Sequence, residues 1–128
     1  MSAGLAVAAY RQVDKTGVPE EKLLVLGLDG ILEYLRRARL ALVEGAVERK
    51  LQSLNRAYQL VEHLLAALPE GNGPDGEGAL NRRLAGIYRY LLERLAHANI
   101  FDDLEAVDDC SAVVTALRDS WIESLRQH

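Results

Sequence analysis

Few residues in this chain could do chemistry, and their spacing decides against most of it. Histidine occurs at His63, His97 and His128. A zinc site draws its ligands from short, repeated spacings. These three are far apart, and none stands four residues from another soft ligand. Glu93 and His97 are four apart, but a ferritin-like di-metal centre needs a Glu-x-x-His pair from each of two helices, and nothing elsewhere matches. Cys110 falls on the apolar stripe of a helix, which makes it core filler and not a nucleophile. The acidic run Asp102, Asp103, Glu105, Asp108 and Asp109 lacks the calcium-loop pattern and its central glycine. It reads as the capped, solvated start of a helix. Arg36, Arg37, Arg39, Arg82 and Arg83 have acids around them and read as solvated faces. No catalytic constellation emerges, so the expectation is a protein that is not an enzyme and holds no metal or cofactor.

With chemistry set aside, the elements are the next question. From Pro19 to Glu44, the residues Leu24, Leu28, Ile31, Leu35, Ala38 and Leu42 alternate spacings of four and three. On a helix that is one apolar stripe, and Glu33, Arg36, Arg37 and Arg39 take the opposite face. Pro19 suits the first turn, Glu20 and Glu21 suit its positive end, and Gly45 suits the terminator. Gly27 and Gly30 lie inside this helix at a cost of about 1 kcal/mol each. They imply either close approach of a neighbouring backbone or a shallow seat for a partner.

A second helix is predicted over 46–68, with Val47, Leu51, Leu54, Tyr58, Val61, Leu65 and Leu68 as its stripe, widened by Leu60 and Leu64. Residues 69–78, PEGNGPDGEG, form a flexible loop. They lack the Lys-Ser/Thr ending of a phosphate-binding loop, and no strand precedes them. A third helix over 79–98 carries Leu80, Leu84, Ile87, Leu91, Leu95 and Ala98, flanked by Tyr88 and Tyr90, with Asn99 as terminator. A fourth over 103–126 starts at Asp102 or Asp103 and carries Val107, Cys110, Val114, Leu117, Trp121 and Leu125. Residues 1–16 are too short to be a stable helix alone and read as a strap that docks on the rest.

Composition agrees. The chain has 128 residues, 49% of them hydrophobic, one Phe and one Trp. One domain, 1–128, with a real core follows. Leu and Ala dominate, which favours helices over a β-sandwich. A net charge of −4 argues against nucleic acid. A single cysteine, no membrane-length apolar run and no basic signal start imply a protein of the cytosol. The fold expected is all-α: an antiparallel four-helix bundle with a short N-terminal helix or strap docked on it.

In order and spacing, these residues resemble the flagellar secretion chaperone family, FliS-type, over nearly the whole chain. The likeness runs through Ala9-Tyr10, Val13, Thr16 and Pro19 to Leu24. It continues with Leu28-Asp29-Gly30, where the family typically reads Leu-Tyr-Asp-Gly, then Ala38 and Glu44-Gly45. Leu84 and Ile87-Tyr88-Arg89-Tyr90-Leu91 resemble the family's Leu-Tyr-x-Tyr-Met. Leu95, Ala98-Asn99, Asp102 and Trp121 complete it. Val18 departs from the family's usual serine before the proline, Gly27 and Leu28 replace Leu and Tyr, and Arg83 stands where Asn is usual.

The resemblance implies the same bundle and a partner, the disordered C-terminal segment of flagellin. That segment would be held in the cytosol so that it cannot polymerise before export. A co-chaperone or export-gate component is a further expected partner. Expected partner contacts are Leu5, Val7, Tyr10 and Val13 on the strap, acting as a removable lid or as a seal on one end of the core. Leu60, Leu64, Ile87, Tyr88, Leu91 and Leu95 follow on the bundle, where plain core packing is the competing reading. The alternative function is a structural or signalling bundle that self-associates as a homodimer through its apolar surface.

Overall fold

The computed structural model describes residues 20–69 and 77–127. The strap with Leu5, Val7, Tyr10 and Val13 and the middle of the glycine-rich loop lie outside them. The described residues form four helices, α1 (Glu20–Glu44), α2 (Val47–Ala66), α3 (Glu77–Phe101) and α4 (Leu104–Arg126), with no strand among them. Each helix packs on two others, in the ring order α1, α2, α3, α4 and back to α1. This is an all-α bundle.

Its antiparallel sense follows from which side chains meet. Asp29, early in α1, pairs with Arg118, late in α4, while Arg39, late in α1, pairs at 2.9 Å with Asp108, early in α4. Lys50 at the start of α2 reaches Asp102 just past the end of α3. The α1–α2 and α3–α4 turns therefore share one end of the bundle.

The α1 stripe is buried as its spacing predicts. Leu24, Leu28, Ile31, Leu35 and Ala38 are all in the core, and Leu42 packs at its margin. Each large side chain buried this fully stabilises the fold by about 1.5–3 kcal/mol. Gly45 ends the helix at φ +70°. Its N–H donates to Leu42 O at 3.3 Å, and Ala46 N–H donates to Ala41 O at 2.8 Å. That pair of bonds is the left-handed terminator that glycine adopts without strain.

Of the two readings of the glycines inside α1, close approach of a neighbouring backbone does not hold. A Cβ at Gly27 would meet nothing within 4 Å, so no backbone approaches there. At Gly30 it would lie 3.3 Å from Leu60 Cδ1, a side chain and not a backbone.

The α2 stripe departs from the one expected in its first turns, while Leu54 and Val61 are buried and Tyr58, Leu65 and Leu68 pack at the core margin. Val47 and Leu51 are exposed, and the buried line runs through Lys50, Ser53, Leu54, Ala57, Val61 and Leu64. Helix α2 ends at Ala66 and not at 68. Helix α3 starts earlier than expected, because Glu77 and Gly78 are already helical and shorten the loop. Its buried line passes through Asn81 and Tyr88, with Leu80 and Ile87 only half-buried. It runs beyond Asn99 to Phe101, so Asn99 is not its terminator. In α4, Ala106, Val107, Cys110, Val114 and Trp121 are buried as the stripe requires.

Candidate functional site

Two features of the surface stand out from the capped, ion-paired remainder. The first is a groove between α2 and α3, lined by Leu54, Asn55, Tyr58, Leu95, Ala96, Asn99 and Ile100, with a volume of about 280 Å³. Its floor is the apolar edge of the core: Leu54 and Leu95 are almost fully buried, and Tyr58 packs against them half-buried. Its far rim is the last turn of α3, where Ile100 is 72% exposed. Two carboxamides, Asn55 and Asn99, stand among these apolar groups, and no lining side chain carries a charge. An open trough with an apolar floor and a few amide groups suits an apolar helix or strand better than a charged small molecule.

The second feature is apolar surface at the end of the bundle that carries both turns. Leu40, Val43, Val47 and Leu51 are all exposed there, and Phe101 is 66% exposed at the same end. The Glu44–Arg49 pair at 2.8 Å sits on the turn between them.

The corner between α3 and α4 borders the groove and is built from polar contacts. Asp103 is the N-cap of α4 and accepts from Glu105 N–H at 3.0 Å and Ala106 N–H at 3.4 Å. His97 Nε2 lies 3.0 Å from the other Asp103 oxygen, and its ring sits 4.7 Å from that of Phe101. Arg94 donates to Asp109 at 3.0 Å. The acidic run is therefore a cap and a set of ion-pair partners, as its sequence context suggests. Among the described residues, no group of three or more His, Cys, Asp or Glu could hold a metal ion.

The residues on the bundle expected to touch a partner fall into three groups. Leu95 lines the groove. Leu60 and Ile87 are half-buried at the core margin, Leu60 against Gly30. Leu64, Tyr88 and Leu91 are buried in the core, none more than 4% exposed. Burial pushes the Tyr88 phenol up to about 12. The strap residues Leu5, Val7, Tyr10 and Val13 lie outside the described residues.

Reading the sequence by stripe missed Asn55, Asn99 and Ile100, because none belongs to an apolar repeat. The one available signal was the Ile100-Phe101 pair, two large apolar residues that follow the α3 stripe after it should have ended.

A family model described as "Flagellar protein FliS" matches residues 3–128. Relatives in several bacteria carry the name flagellar secretion chaperone FliS. That of Escherichia coli K12 is 29% identical, over 98% of this chain and 93% of its own length. That of Salmonella typhimurium LT2 is 29% identical, over 94% of this chain and 90% of its own. That of Bacillus subtilis 168 is 29% identical, over 92% of this chain and 84% of its own. Among the described residues, no helix is long and apolar enough to cross a membrane.

Proposed function

The chain belongs to the flagellar protein FliS family, and from that premise we propose that it is a cytosolic secretion chaperone for flagellin. Its client is the disordered C-terminal segment of that protein. The segment folds against the bundle, which keeps it from polymerising before export. The observation that supports this reading is the uncharged trough between α2 and α3, with Leu54, Tyr58 and Leu95 below and Ile100 at its rim. An amphipathic helix gains most by laying its apolar side into such a groove. Leu60 and Ile87 are half-buried at the core margin, Leu60 on the side that faces α1. Leu64, Tyr88 and Leu91 belong to the core that the groove floor continues.

The strap with Leu5, Val7, Tyr10 and Val13 is proposed as a lid that the client displaces. A chaperone of this kind performs no turnover, and its affinity reflects a large footprint offset by the ordering of the client.

Calorimetric titration with the C-terminal segment of flagellin from the same organism tests this. One-to-one binding with a negative heat-capacity change and new helical signal is expected. If neither the full chain nor a variant lacking residues 1–16 binds at tens of micromolar, the proposal fails.

A second reading draws on Leu40, Val43, Val47 and Leu51, exposed together at the turn end. They favour a further protein contact there, with a co-chaperone, an export-gate component or a second copy of the chain. Sedimentation of the free protein separates the last of these from the others.

A further inference from the structure

Both turns at one end of the bundle close in the same way but with different residues. After α1, Gly45 takes the left-handed conformation at φ +70°. After α3 the same place falls to Asp102 at φ 52°, with Asp103 N–H donating to Ala98 O at 3.2 Å. An aspartate tolerates this conformation less well than glycine, so its side chain must compensate.

Its carboxylate accepts from Lys50 Nζ at 2.6 Å. The same ammonium donates to Asn99 O at 2.9 Å, one of the last carbonyls of α3, which lack partners within the helix. Lys50 is 8% exposed, at the start of the buried line of α2. Taking an ammonium out of water is costly even when it is paired, and an apolar residue of similar size is commonly neutral or better for stability. Stability alone does not account for a lysine there. Its position does: both of its partners flank Ile100, and Asn99 itself lines the groove.

We propose that Lys50 and Asp102 are a positioning pair that fixes the last turn of α3, and with it the far rim of the α2–α3 groove, for the client segment. The inference rests on the reading that this groove receives the client. Lys50 ties the rim to α2 through the Asn99 carbonyl, and Asp102 holds the ammonium on that carbonyl from the other side. Without the tie, Asn99 and Ile100 lose their fixed distance from Leu54 and Tyr58, and the client meets a groove of variable width.

The test measures the Kd of the synthetic flagellin C-terminal segment, together with melting temperature, for five variants. Asp102→Gly keeps a residue suited to the left-handed turn but removes the anchor. It is expected to melt within a few degrees of the parent and to bind at least fivefold more weakly. Lys50→Met is expected to do the same, and if it does not fold, Asp102→Gly carries the test alone. Asp102→Asn keeps both the turn preference and an acceptor for Lys50, and should restore binding to within about twofold. Ile100→Ala and Tyr58→Ala report on the groove itself. If these two weaken binding while Asp102→Gly and Lys50→Met bind like the parent, the positioning role is overturned and the groove reading stands. If all five bind like the parent, the groove is not the client site and both fall together.

Discussion

Cys110 shows how far a single residue's surroundings decide its chemistry. It is fully buried, and its thiol makes a long contact, 3.9 Å, to the Leu91 carbonyl. Burial pushes the thiol up to about 12 from an ordinary value near 9, so the reactive thiolate is scarce at any physiological pH. A disulfide-exchange reagent at pH 8 should leave the folded protein unlabelled and label it fully in denaturant. Rapid labelling without denaturant would contradict the packing described here.

Tyr88 is raised to about 12 by the same cause. Both groups bind their protons more tightly folded than unfolded, so the stability they contribute is complete below their unfolded values. It is lost as pH climbs from about 9 towards 12. Denaturant midpoints should therefore be flat up to about pH 9 and fall above it. Cys110→Ala should lose the part of the fall that begins near 9 and keep the part due to Tyr88.

At the scale of the element, the caps decide where helices stop, and Asp103 makes the sharpest case. One of its oxygens caps two N–H groups of α4 and the other meets His97. Asp103→Ala should cost about 1 kcal/mol, read as a fall in melting temperature of roughly 4 °C. Asp103→Asn or Ser should recover most of it, since the cap bond needs an oxygen more than a charge.

The helices themselves differ in how legible they were. Helix α1 is written plainly, because every position on its buried line is apolar. Helix α2 is not, because its buried line includes Lys50, Ser53 and Ala57. A polar, a small polar and a small apolar residue give no hydrophobic signal, so Val47 and Leu51 drew the stripe towards solvent. The end of α3 was misread for a related reason. Asn99 is a good terminator by type, but the residue that takes the left-handed conformation is Asp102, whose carboxylate meets a lysine 52 residues away in sequence.

At the scale of the whole molecule, the division between charged and uncharged surface sets how the protein should respond to salt. The net charge is −4, and many ion pairs among the described residues tie exposed side chains. Arg36 and Arg37 hold the Glu33 carboxylate down at about 2, and Arg39 and Asp108 meet at roughly half exposure each. Pairs so exposed contribute little and are screened by salt. The groove has no charged lining residue, and its floor continues the core of Leu54 and Leu95. That continuity between core and groove is why the candidate site was only partly legible. Leu95 belongs to both, whereas Ile100 joins the site only because α3 overshoots its stripe.

It also fixes the sign of an expected result. If the client docks by apolar burial, its Kd should change by less than about threefold between 0.1 and 1 M sodium chloride. Sodium sulfate, which strengthens apolar burial, should tighten it. A tenfold loss of affinity in sodium chloride would instead move the contact away from the groove to the charged faces, such as that of Arg36, Arg37 and Arg39 on α1.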